Sequence, residues 1–188
     1  MAGIGHNSGR VIEPGHTWRK HVWTKARKKL MPTLPVEVIR MRVRRAAELG
    51  LPYKTYAGIR ASSGDDLIGF MFSNNALRVL RAGQAMAADR KRKLDQLIGA
   101  QRIALAHAPA MVKHLQALPQ IDRAFRAPQF TDSWSSVRDQ FRAMTADAKT
   151  PASRLVLVGD TAFEREWVET GKMAGYVPAD VYFAQAVV

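Results

Sequence analysis

Three short apolar runs constrain this chain more than anything else in it: residues 67–72 (LIGFMF), 102–107 (RIALAH) and 154–159 (RLVLVG). Each is strand-sized and nearly unbroken in its apolar character. That is how a strand reads when both of its faces are buried, as in a parallel sheet covered by helices. Residues 181–184 (VYFA) look like a fourth such run. Helical patterns separate them. One or two helices fit residues 76–99, another fits 110–118, and a third fits 133–147, where Trp134, Val137, Phe141 and Met144 share a face. A last one fits 162–174, with Phe163, Trp167 and Gly171 on one side. Strands alternating with helices predict an α/β fold. The expected domain spans residues 62–188 and holds a small, mostly parallel sheet of three to four strands flanked by helices.

The front of the chain has a different character. Residues 1–15 read as a flexible leader punctuated by Gly3, Gly5, Gly9, Pro14 and Gly15. Residues 16–61 read as a basic helical element. A first helix over 17–31 carries the stripe Trp18, Val22, Ala26 and Leu30, and Pro32 and Pro35 end it. A second, over 35–49, places Val36, Ile39 and Val43 on one face, and Gly50 suits the position just past its end. A short third helix fits residues 53–61. Of the net charge of +13, the first 60 residues hold most: 13 Lys and Arg stand against Glu13, Glu37 and Glu48. Clustered positive charge is the footprint of a polyanion binder, because neutralised phosphates release counterions.

Composition removes several chemistries. With 188 residues, 47% of them hydrophobic, one domain can bury a core. The absence of cysteine excludes disulfides, thiol nucleophiles and cysteine-held metal sites. No apolar run reaches membrane-spanning length, and the N-terminus has no apolar signal core, so a cytoplasmic location is expected. No histidine pair has metal spacing, and no phosphate-loop or dinucleotide fingerprint occurs, so neither metal nor cofactor is predicted.

Three stretches carry resemblances. AAELGLPYKTYAGIRA is similar to the helix-turn-helix of DNA-binding regulators, with Ala46, Gly50, Leu51, Tyr56 and Ile59 in the helix-locking places. Arg45 stands where that pattern prefers an apolar residue. The resemblance implies that Tyr53, Lys54, Thr55 and Arg60 face a groove, with Arg44 and Arg45 near phosphates. LVLVGDTAFEREWVETGKMAGY resembles the last motif of haloacid-dehalogenase-type phosphatases, which implies a magnesium-binding role for Asp160. The Asp-x-Asp that supplies the nucleophile of that family has no counterpart here. Thr161 and Glu164, three apart, also form a capping-box pattern. IGHNSG, residues 4–9, resembles a short N-terminal peptide of alphaproteobacterial and phage-associated proteins and implies that setting.

Topology suggests one further site. Ligands of open parallel sheets bind beyond the carboxyl ends of the strands. The first three runs end in Ser73-Asn74-Asn75, His107 and Asp160, so these residues should share an edge. Asn74 is expected to orient a ligand, His107 to move protons, and Asp160 to orient His107 or hold a cation. A hydrolase built on Ser73, His107 and Asp160 lacks the Gly-x-Ser-x-Gly elbow.

The leading functional expectation is therefore nucleic-acid binding, DNA above all, through Lys25, Lys28, Arg40, Arg44, Arg45, Tyr53, Lys54, Thr55 and Arg60. The alternatives are an enzyme or a small-molecule or phosphate binder at Asn74, His107 and Asp160, or an adaptor for an acidic protein partner.

Overall fold

The computed structural model describes residues 34–184. The leader, the expected helix over 17–31, and Lys25 and Lys28 lie outside these residues. The chain divides after Ile39. Of the first unit only residues 34–39 are described, and Val36–Ile39 open helix α1 (Val36–Glu48). The packing described below concerns Arg40 onward.

After α1 come α2 (Tyr53–Ser63), β1 (Gly69–Ser73), α3 (Ala88–Asp95), β2 (Gln101–Ala106), α4 (Pro109–Gln116) and β3 (Arg123–Arg126). Then follow α5 (Trp134–Asp147), a 3₁₀ turn (Ala152–Arg154), β4 (Leu155–Gly159), α6 (Ala162–Gly171), β5 (Gly175–Pro178) and α7 (Ala179–Ala184). The five strands form one sheet in the order β3-β2-β1-β4-β5, and every pairing is parallel. The fold is α/β, as the apolar runs predict.

Strand alternation sorts the core into two layers. Phe70, Phe72, Ala104, Ala106, Val156 and Val158 face one side, where they pack with Ala46 of α1, Leu49 just past its end, Tyr56 of α2, Leu94 of α3, Leu115 of α4 and Tyr182 of α7. Met71, Ile103, Leu105, Leu155 and Leu157 face the other, against Val137, Phe141 and Met144 of α5 and Trp167 of α6. Ala46, Leu49, Leu51 and Tyr56 of the basic element thus share a core with the sheet. Gly69 lies where strands approach closely: a Cβ there would come within 2.7 Å of the Gln101 carbonyl.

The sheet has more strands than the sequence displays, and one expected strand is a helix. Residues 181–184 form part of α7, in which Tyr182 is fully buried while Val181 is exposed. Four apolar residues carry no readable period, and Pro178 closes β5 just before them. β5 (GYVP) and β3 (RAFR) have too few apolar residues to stand out. The expected helices over 76–99 reduce to α3. The segment before it turns through left-handed backbone at Arg78 (φ 55°) and Gly83 (φ 83°).

Candidate functional site

Sequence-adjacent strands are spatial neighbours until β1, which lies between β2 and β4. Chain order therefore reverses at β1/β4, the switch point at which open parallel sheets hold ligands, in the crevice beyond the carboxyl ends of their strands. The loops that reach this edge bring Ser73, Asn74 and Asn75 from β1, His107 from β2, and Asp160, Thr161 and Glu164 from β4.

Glu164 organises the site. It stands on the first turn of α6, where Thr161 caps the helix. The Thr161 hydroxyl accepts from Glu164 N–H at 3.2 Å, and Thr161 N–H donates back to Glu164 Oε2 at 3.1 Å. This is the capping box expected from sequence. The same carboxylate does more than cap. Oε2 also accepts from Asp160 N–H at 2.6 Å, and Oε1 accepts from Asn75 Nδ2 at 2.9 Å and lies 2.7 Å from His107 Nε2. The Glu164 side chain is 0% exposed and the His107 side chain 31%.

Burial is the largest single influence on the Glu164 carboxyl and opposes its ionisation. The hydrogen bonds from His107, Asp160 N–H, Ser73 and Asn75 together outweigh it and hold the carboxyl below the ordinary glutamate range. An ionised carboxylate only accepts, so the proton of this contact sits on His107 Nε2. In the neutral form of the ring, Nδ1 is then the acceptor. Nδ1 has no hydrogen-bond partner among the described residues.

The neighbours of the dyad serve to position it. Asn74 is 5% exposed. Its Oδ1 accepts from His107 N–H at 3.0 Å and its Nδ2 donates to the Val79 carbonyl at 3.1 Å. Both polar ends of Asn74 thus hold loops in place. Ser73 is buried, and its hydroxyl accepts from Ala76 N–H at 3.0 Å. Asp160 pairs with Arg78 at 2.9 Å. Asp160 therefore does not orient His107. Glu164 has taken that role, because its side chain returns from the helix to the strand end whereas Asp160 turns toward Arg78. Gly159 makes room for the carboxylate: a Cβ there would lie 2.9 Å from Glu164 Oε2 and 2.9 Å from the Tyr176 ring.

A run of rings adjoins the imidazole. His107 contacts Trp167 at 5.5 Å between centroids, Trp167 contacts Phe163 at 5.3 Å, and Phe163 contacts Phe130 at 5.5 Å. Trp167 is buried, and its indole N–H finds no acceptor among the described residues.

The residues expected at a nucleic-acid groove divide into two sets. Arg45 is engaged within the fold. Its guanidinium donates to the carbonyls of Leu67 and Gly99 at 3.0 Å each and of Ile98 at 3.2 Å, and to Glu48 at 3.0 Å. Arg60 pairs with Asp66 at 3.1 Å, beside the Tyr56 hydroxyl that donates to the same carboxylate at 2.6 Å. Arg40, Arg44 and Lys54 are exposed and make no ion pair among the described residues, while Tyr53 and Thr55 are half-buried. A group of three or more potential metal ligands does not occur among the described residues, and no described helix is long and apolar enough to cross a membrane.

No family model, curated protein or solved structure matches the chain. Functional reasoning rests on the site itself. Of its members, Asn74, His107 and Asp160 were legible as strand-end residues. Ser73 and Asn75 belonged to the same strand-end group, Glu164 was legible only as a helix cap, and nothing marked Gly159 as making room for it.

Proposed function

We propose that the chain binds a small molecule at the β1/β4 crevice and that His107 exchanges a proton with it. The single observation that carries this reading is the His107–Glu164 contact at 2.7 Å, in which a buried carboxylate fixes the tautomer of a partly exposed imidazole. A histidine held this way presents an oriented base to a substrate hydroxyl, amine or water. The imidazole is partly exposed, and its Nδ1 has no partner among the described residues. The amides of Asp160 and Thr161, which could cradle a phosphate, already donate to Glu164. Their occupation favours a ligand without a phosphate at that turn.

Hydrolysis of p-nitrophenyl acetate, followed by absorbance, tests the proposal. Rates above buffer should fall to background in His107→Gln and stay unchanged in His114→Gln, whose ring nitrogen is 2.8 Å from the Gln84 carbonyl. Equal rates for wild type and His107→Gln would sink the reading.

A second reading, binding of a nucleic-acid backbone by the basic front, is favoured by Arg40, Arg44 and Lys54, which are exposed and make no ion pair among the described residues. Duplex DNA affinity should then drop with salt, and Arg40→Ala with Arg44→Ala should flatten that dependence by roughly two phosphate contacts. Salt-independent binding, or none at low ionic strength, refutes it.

A further inference from the structure

Phe130 stands at the carboxyl edge, in the loop between β3 and α5, and is 85% exposed. An exposed phenyl ring is ordinary on its own. This one is braced. Its ring rests on Phe163 at 5.5 Å with a 60° tilt, Phe163 meets Trp167 nearly edge-on at 77°, and Trp167 adjoins His107. The nearby exposed Trp134 differs, because its face is covered by the Arg138 guanidinium at 5.4 Å. Phe130 thus offers an uncovered ring on a rigid aromatic base, at the same edge as the free Nδ1. One ring is far too small for a protein interface, which needs on the order of 1,000 Å². It matches the face of one planar group.

We infer that Phe130 is a stacking platform for a planar aromatic ring of the ligand, whose polar arm reaches His107. The inference rests on the reading of His107 as the proton-exchanging group. Two rings, Phe163 and Trp167, lie between the platform and the imidazole, so the ligand is elongated. Its arm must offer a proton to Nδ1, and it lies beside the ionised Glu164. A neutral hydroxyl-bearing arm meets both demands, whereas an anionic arm would be repelled. The ligand class is a planar aromatic ring joined to a neutral, hydroxyl-bearing arm, and a nucleoside carries both parts.

Adenosine and ribose share the hydroxylated arm and differ by the ring, which makes them the probes. Titration of the full chain, followed by the NMR resonances of the Trp167 indole N–H and the His107 ring, gives affinities for both. Adenosine should perturb both signals at millimolar concentration, and ribose should bind about tenfold or more weakly, the difference expected of one stacked base. Phe130→Ala should remove that preference, and Phe130→Trp should retain it. Equal binding of the two probes, no response to adenosine, or an undiminished preference in Phe130→Ala overturns the platform. Loss of the p-nitrophenyl acetate rate in His107→Gln, measured in parallel, shows whether the proton-exchange reading survives a failure of the platform.

Discussion

Glu164 Oε1 lies 2.7 Å from His107 Nε2, so a fully buried carboxylate and a partly exposed imidazole share one hydrogen bond at the carboxyl edge of the sheet. Removing the carboxylate takes away the shared acceptor of His107, Asn75 and the Asp160 and Thr161 amides. Glu164→Ala should destabilise the fold by about 3–5 kcal/mol. Urea unfolding of the variant beside wild type checks this.

The same group ties stability to acidity. Its folded carboxyl titrates below its ordinary value of 4.5, so folding favours the ionised form. The stabilisation is present above that ordinary value and is lost as pH falls through the lower folded value. Unfolding midpoints should therefore decline on the acid side of 4.5. In Glu164→Gln this part of the acid sensitivity should vanish, and an unchanged acid profile would argue against an ionised Glu164.

Gly159 is required by the carboxylate it faces. A methyl group there meets Glu164 Oε2 and the Tyr176 ring at 2.9 Å each. Gly159→Ala should cost about 1–3 kcal/mol and release His107 from its partner. The His107 ring nitrogen shifts in NMR should then report a mixture of tautomers.

Arg45 and Arg44 are adjacent in sequence but should respond oppositely to substitution. Arg45 bridges α1 to the chain before β1 and β2 through the Leu67, Ile98 and Gly99 carbonyls, whereas Arg44 is exposed. Arg45→Ala should lower stability by about 1.5–3 kcal/mol. Arg44→Ala should leave it within about 0.5 kcal/mol. Chemical denaturation of both variants decides.

Lys172 ends α6 in left-handed backbone at φ 53°. Glycine adopts that geometry without the Cβ clash. Lys172→Gly should raise stability by about 0.5–1 kcal/mol, read as a higher thermal midpoint.

Sequence legibility followed side-chain volume and run length. β1, β2 and β4 announce themselves because central strands of a covered parallel sheet are apolar on both faces. The edge strands β3 and β5 have less to bury, and their four-residue spans carry no period. The run at 181–184 misleads for the converse reason: Tyr182 and Phe183 enter the core from a helix that begins at Ala179. At the candidate site, the topology rule names an edge, and the loop residues named from it lie there together. The partner of His107 does not follow from that rule. Glu164 lies in the first turn of α6 and reads as a cap, and only its contact with His107 of the neighbouring β2 loop reveals its second role. Arg45 is a similar case. A basic residue on a basic helix reads as a surface charge until three carbonyls are found around it.

The outermost strand β3 reads Arg-Ala-Phe-Arg, and Arg123 at its start pairs with Asp147 of α5 at 3.2 Å. A neighbouring molecule seeking to lengthen the sheet would meet only four residues of open ladder, bounded on both sides by guanidinium groups that resist dehydration. At this border the sheet offers an incoming strand little to pair with.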